Sequence, residues 1–183
     1  MEIVLVVAVA ENGVIGRDGG LPWRIKSDMQ RFRALTWGKP MLVGRKTYLS
    51  FTRRPLPGRT NIIVSRSHDF AAPGALIAPS IPAGLDVARG DALRRGADAV
   101  MVVGGADIYA QTMPLADRLE ITHIHARCEG DTVFPAIDPQ IWDETARTAY
   151  PAGAGDDAGY DAVTYLRIRP GGSPVQPAAA LKG

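Results

Sequence analysis

The chain has one cysteine, Cys128, among 183 residues, so no internal disulfide can form. That usage suits a reducing cytoplasm. Cys128 lies at the end of an apparent strand with no His/Asp pattern beside it, and reads as a small packed residue. No cluster has the spacing of a zinc site, and no metal is expected. Charge of one sign is also scarce. Lys and Arg number 21 against 19 Asp and Glu, a net charge of +2. Pairs such as Arg53-Arg54 and Arg94-Arg95 are short enough to be solvated surface. This balance does not point to nucleic acid. Any footprint for a phosphate-bearing small molecule has to be local. The apolar opening MEIVLVVAVAENG is too short to span a bilayer and lacks a basic leader, so no membrane partner is expected.

What is present fits one globular domain with a real core: 46% of residues are apolar. Ile3–Ala10 is a Val-rich run of the kind found in strands covered on both faces. A long loop follows at 11–24, then a helix over 27–36 in which Ser27 and Gln30 form an S-x-x-Q capping box. Strands are expected over KPMLVG, TNIIVS, ALIA at 75–78, Val100–Val103 and 118–126. Helices are expected after Gly44, within 84–96 and after Gly105. Segments 144–150 and 160–168 pair antiparallel. The alternation predicts an α/β fold: a single domain over 1–168 with a mostly parallel central sheet, flanking helices and a C-terminal antiparallel edge. Residues 169–183, rich in Pro, Gly and Ala, are expected to form a flexible tail.

Asp28 breaks the pattern of its helix. Ile25, Met29, Phe32 and Leu35 make an apolar stripe at about 100° per residue, and Asp28 falls inside it. An acid in the first turn complements the helix dipole, but burying a lone carboxylate is costly unless it is paired. Lys26 and Arg33 point elsewhere on the wheel, so a ligand carrying donors is one resolution. The loop before this helix has Gly13, Gly16, Gly19 and Gly20 as hinges, with Ile15, Leu21 and Trp23 as apolar surface. It is either a closing lid or a rigid Ω-loop.

Three strand ends have the makings of an anion site. LVGRKT adds Arg45, Lys46 and Thr47 to a glycine turn, VVGGADIY places Gly104 and Gly105 before a helix, and NIIVS leads into Ser65-Arg66-Ser67. Glycine permits close backbone approach, and helix N-termini favour phosphate. Neither glycine turn is a G-x-G-x-x-G fingerprint or a P-loop, and close helix–strand packing explains either one alone. Together they suggest a dinucleotide laid across the strand ends.

The ordered set of segments resembles the bacterial dihydrofolate reductase family. The set comprises VIG and LPW within 14–23, Asp28 with Phe32, GRKTY at 44–48, RPLPGR at 54–59 and NIIVS at 61–65. It continues with VGGADIY at 103–109, ITH at 121–123 and GDTVFP at 130–135, so that the resemblance spans about residues 2–168. It implies NADPH-dependent reduction of 7,8-dihydrofolate to tetrahydrofolate in one-carbon metabolism, by a cytoplasmic monomer that competitive antifolates also bind. Asp28 then holds the pterin 2-amino group and N3 and promotes protonation at N5, with Thr122 supporting it. Leu21, Trp23 and Tyr109 complete the catalytic set, Trp23 by holding a water. Ala8, Met29, Phe32, Phe51 and Leu56 line the substrate pocket, and Arg59 takes the glutamate α-carboxylate. Ala8, Ile15, Gly16, Gly44, Arg45, Lys46 and Thr47 contact the cofactor, as do Ser65 and Arg66 on the adenosine side. Gly104, Gly105, Ala106, Asp107, Ile108 and Tyr109 wrap its other half. Two departures stand out. Arg31 occupies a position often aromatic or apolar, and Arg53-Arg54 alters the turn before PLPGR. A riboflavin-pathway reductase of the same fold calls for phosphate-sugar contacts in place of Asp28, Phe32 and RPLPGR. An idle binding module is expected to lose Asp28 or distort the lid.

Overall fold

The computed structural model describes residues 1–168. The expected tail at 169–183 lies outside the described residues. In chain order the elements are β1 (Glu2–Ala10), β2 (Val14–Gly16), α1 (Lys26–Thr36), β3 (Pro40–Gly44), α2 (Arg45–Ser50), β4 (Thr60–Val64) and β5 (Leu76–Ala78). There follow α3 (Ile81–Arg95), β6 (Ala99–Val102), α4 (Ala106–Thr112), β7 (Arg118–Ile124), β8 (Thr132–Val133), β9 (Trp142–Tyr150) and β10 (Tyr160–Arg167).

Eight strands form one sheet in the order β5-β4-β3-β6-β1-β7-β10-β9. Every neighbouring pair from β5 to β7 is parallel, and β10 runs antiparallel to both β7 and β9. β1 sits near the middle, which is why its sequence is apolar at almost every position. Side chains alternate across a strand, and both faces of β1 are covered. Ile3, Leu5 and Val7 pack with Leu85 and Ala88 of α3 and Ile108 of α4. Val4 and Val6 pack on the other face with Tyr48 of α2 and with Phe32 and Leu35 of α1. Among the described residues no helix is long and apolar enough to cross a membrane.

Local chemistry moves several boundaries. α3 begins at Ile81, before the expected 84, because the Ser80 hydroxyl accepts from the Ala83 N–H and Pro82 suits the first turn. Gly84 is no weakness there: a Cβ would lie 2.6 Å from Leu42 Cδ1, so its absence lets α3 close onto β3. The capping box at Ser27 does not form. The N-cap of α1 is Ile25, which makes no side-chain cap. Asp156, from the loop between β9 and β10, does the capping instead. Its carboxylate accepts from Lys26 N at 2.6 Å, Ser27 N at 3.2 Å and Ser27 Oγ at 2.6 Å. The loop at 11–24 also contains structure: Val14–Gly16 pairs antiparallel with Thr132–Val133.

Candidate active site

The carboxyl ends of β1, β3, β4 and β6 and the neighbouring face of α1 enclose a cleft of about 1700 Å³. Crevices at the strand ends of open parallel sheets are the usual ligand sites. Ala8 reaches it from β1, and Asp28, Met29 and Phe32 from α1. Phe51, Leu56 and Arg59 line one end; Arg45, Lys46, Thr47, Ser65 and Arg66 line the other. Ile15, Gly16, Leu21, Gly44, Gly105, Ala106, Asp107, Ile108, Tyr109 and Thr122 also face it. Of the residues expected in the site, Trp23 and Gly104 do not line the cleft. Trp23 is buried with Ile25, Val14 and Tyr160 at the C-terminal end of the 11–24 loop, as a packing residue.

Asp28 is 8% exposed, at the wall of this cleft. The Thr122 hydroxyl donates to its Oδ1 at 2.6 Å. Burial raises the carboxyl's proton affinity; the Thr122 bond and the Arg31 charge pull it down, and Asp156 raises it. The wheel's stripe therefore divides. Ile25 goes to the small cluster around Trp23, while Met29, half exposed, and Phe32 face the cleft beside the acid. The absence of a basic partner on the same helix face is corrected here. Arg31, three residues on, lies on the acid's side, as i,i+3 spacing allows. Its Nη1 donates to Thr122 Oγ1 at 3.2 Å and its Nη2 to Glu120 Oε2 at 2.8 Å.

Arg59 is held in advance of any ligand. Its Nη1 donates to Thr36 Oγ1 at 2.9 Å and its Nε to the Pro57 carbonyl at 3.0 Å. The guanidinium stands 5.9 Å from the rings of both Phe32 and Trp37. Burial and nearby Arg33 lower its proton affinity, a bias that an anionic ligand relieves. Buried Asn61 shapes the loop: it accepts from Leu56 N at 2.9 Å and donates to the Leu56 and Arg59 carbonyls at 2.9 and 3.2 Å. The altered turn at Arg53-Arg54 is tied down by Arg54 Nη1, which donates to the Leu49 carbonyl at 2.8 Å.

At the far end the two glycine turns press against each other. Gly44 N donates to the Gly104 carbonyl at 2.7 Å. A Cβ on Gly104, which has φ of +106°, would meet the Tyr109 ring at 2.9 Å, and one on Gly105 would meet Thr47 Oγ1 at 2.7 Å. The Gly104-Gly105 turn thus needs glycine at both positions for packing as well as for approach to a ligand. Tyr109 is fixed by donating to the Val6 carbonyl at 2.7 Å, and burial pushes its phenol's proton affinity up. Arg45, Lys46 and Arg66, with the Thr47, Ser65 and Ser67 hydroxyls, line this end. That donor set fits a phosphate-bearing dinucleotide.

The loop at 11–24 is braced at both ends. Asp131 N donates to the Gly16 carbonyl at 3.1 Å, and Asp18 N donates to Asp131 Oδ2 at 3.1 Å. Arg24 N donates to Asp157 Oδ2 at 2.7 Å, and Asp157 N returns a bond to the Arg24 carbonyl. Between these braces Leu21 is 54% exposed and faces the cleft.

Sequence reasoning missed Asn61, Asp156 and the Arg31–Glu120 pair. Glu120 carried a signal: an acid inside the apolar strand RLEITHI poses the same question as Asp28. The clamp by Asp156 had none, since Asp156 lies 129 positions along the chain from Ser27.

The comparisons agree on one family. A family model described as dihydrofolate reductase matches residues 2–167. A dihydrofolate reductase of Neisseria meningitidis serogroup A is 44% identical over 167 residues, covering 91% of this chain and 99% of the relative. Dihydrofolate reductase type 3 of Salmonella typhimurium is 40% identical over 169 residues, 92% of this chain and all of the relative. A solved Enterococcus faecalis dihydrofolate reductase, complexed with NADP(H) and RAB-propyl, superposes with a TM-score of 0.80 at 30% identity, covering 92% and 97% of the two chains.

Proposed function

The chain belongs to the dihydrofolate reductase family and reduces 7,8-dihydrofolate to 5,6,7,8-tetrahydrofolate with NADPH, and we propose that Asp28 is the acid on which this reduction turns. The observation that carries the reading is the buried Asp28 carboxylate, oriented by Thr122 and open to the cleft through its second oxygen. A planar pair of N–H donors, such as the pterin 2-amino group and N3, satisfies that carboxylate. A carboxyl lifted by burial toward the working pH is better matched to proton delivery than an exposed one. Asp28 holds the ring and promotes protonation of N5, the proton arriving through water beside Leu21.

NADPH, when bound, supplies the hydride for pterin C6. The chain's own residues orient and shield. Arg45, Lys46, Thr47, Ser65 and Arg66 bind phosphates. Gly44, Gly105, Ala106, Asp107 and Ile108 carry the rest of the cofactor, with Ile15 and Gly16, while Gly104 shapes the turn behind them. Tyr109, fixed on Val6, and Ala8 keep the reacting rings in register. Met29, Phe32, Phe51 and Leu56 hold the apolar body of the substrate, and Arg59 takes its α-carboxylate through a two-donor fork. Leu21 closes over the rings, with Trp23 anchoring the lid's base. Competitive antifolates that present the same donor pair to Asp28 occupy the same pocket.

We further read residues 1–168 as one reductase domain, since the eight-stranded sheet takes strands from both ends of that range, β1 and β10 included. The half-buried free thiol of Cys128 suits the cytoplasm. The decisive test of the acid is Asp28→Asn. NADPH binding should survive while turnover at neutral pH collapses, and near-normal turnover removes Asp28 from the mechanism.

A further inference from the structure

Arg31 is the departure that the family resemblance leaves without a use. Its side chain is 18% exposed, and its guanidinium joins two groups on β7. Thr122 Oγ1 accepts from Arg31 and donates to Asp28. A hydroxyl has one proton, so an N–H occupying a lone pair of Thr122 leaves that proton free to point at the carboxylate. Glu120 fixes the other arm of the fork. It is 5% exposed and also accepts from Thr164 Oγ1 at 3.1 Å. Beyond it the charges alternate: Arg118 Nη1 lies 3.3 Å from Glu120 Oε1, and Arg118 Nη2 lies 3.0 Å from Glu2 Oε2. Among the described residues the other charged group acting on Asp28 is Asp156, of the β9–β10 loop, which contacts the N-terminus of α1.

We propose that Arg31 is a positioning residue for the acid: clamped by Glu120, it holds the Thr122 hydroxyl in the orientation that donates to Asp28 and sets a positive charge facing the carboxylate. This rests on the reading of Asp28 as the acid. The role is distinct from catalysis, because Arg31 needs no contact with the reacting atoms. An aromatic or apolar side chain at this position could pack against the cleft wall, but it could neither donate to Thr122 nor carry the charge.

Two substitutions should move the acid in opposite directions. Arg31→Gln removes the charge that favours the carboxylate, so the Asp28 midpoint should rise by about one pH unit, the low end of an arginine's effect on a neighbouring acid. Glu120→Gln keeps an oxygen that accepts from Arg31 Nη2, and with it the clamp, but removes the negative charge beside the acid, so the midpoint should fall. Arg31→Lys keeps the charge without the fork and should lie between wild type and Arg31→Gln. Two readouts are followed on the full-length protein: the carboxyl 13C shift of labelled Asp28 against pH, and the pH profile of hydride transfer with NADPH and dihydrofolate. Opposite displacements in Arg31→Gln and Glu120→Gln, tracked by the hydride-transfer profile, support the proposal. An unchanged carboxyl midpoint, or displacement in the same direction, overturns it. Should Arg31→Gln fail to fold, Glu120→Gln and Arg31→Lys decide the matter by the same criteria. Asp28→Asn separates the underlying reading: if its rate profile stays that of wild type, Asp28 is not the acid, whereas the carboxyl titration of the other variants still reports on Arg31.

Discussion

Asp28→Asn should separate activity from stability. The asparagine keeps the shape and the oxygen that accepts from Thr122, but carries no charge and no titratable proton. Loss of a positioned acid lowers a rate by about 10²–10⁴-fold, and turnover at neutral pH should fall within that range. Stability should move the other way. Burial is the largest influence on Asp28 and raises its pKa in the folded chain. Between the unfolded value of about 4 and the folded value, the folded state binds more protons, so stability falls as pH rises through that window and stays lowered above it. Each unit of displacement is worth about 1.4 kcal/mol. For a chain of this size 1 kcal/mol corresponds to roughly 2–4 °C in Tm. Thr122 and Arg31 offset part of the penalty but do not reverse it. The variant should therefore melt at or above wild type at pH about 8, with the difference closing as pH falls to about 4. Steady-state turnover and thermal melts over one pH series measure both effects. A variant that melts several degrees lower at the alkaline end refutes the burial penalty.

Three further outcomes follow from other parts of the molecule. Arg66→Ala should narrow the preference for NADPH over NADH by roughly ten- to a hundredfold, the range of a hydrogen bond to a charged group; an unchanged ratio of kcat/KM values moves the 2′-phosphate contact to Arg45. Tyr109→Phe leaves the buried Val6 carbonyl without its donor, at a cost of about 1–3 kcal/mol to be read by denaturant titration, and an unchanged midpoint refutes that account. Asp156→Ala should lower Tm at neutral pH. Ser27 holds the Asp156 carboxyl below the usual range, so its contribution is present above the unfolded value and is lost as pH falls through the folded one; a deficit that persists in acid contradicts the capping role.

The sheet was legible because a parallel interior has a simple signature. β1 and β6 read as unbroken apolar runs since both of their faces are covered, and the helices between strands follow from the crossovers that parallel pairing demands. Short or distant pairings were not legible. β2 and β8 have three and two residues, too few for a period to register. The cap on α1 looked local because S-x-x-Q is a local motif, yet Ser27 turns its hydroxyl to Asp156. A competing acceptor on a distant loop leaves no trace in the spacing of a helix.

The site divides in the same way. Ligand-facing residues were legible where one segment carries both turn and chemistry, as in GRKT, SRS and RPLPGR. The supports were not, because they join segments that meet only in the sheet. The wheel placed Asp28 on an oily face but measured partners only along its own helix and its own stripe. It therefore missed Arg31, whose counterpart Glu120 lies on β7. Taken singly, Asp28 and Glu120 are each acids in apolar settings, and each asks for compensation. Arg31 answers both, through Thr122 for one and by direct pairing for the other. Removing Arg31 leaves the buried Asp28 without a facing cation, whereas removing the Asp28 charge leaves Arg31 still paired with Glu120. The charge on the oily face is thus partly compensated from the protein side before any pterin arrives, and the ligand has the second carboxylate oxygen left to satisfy.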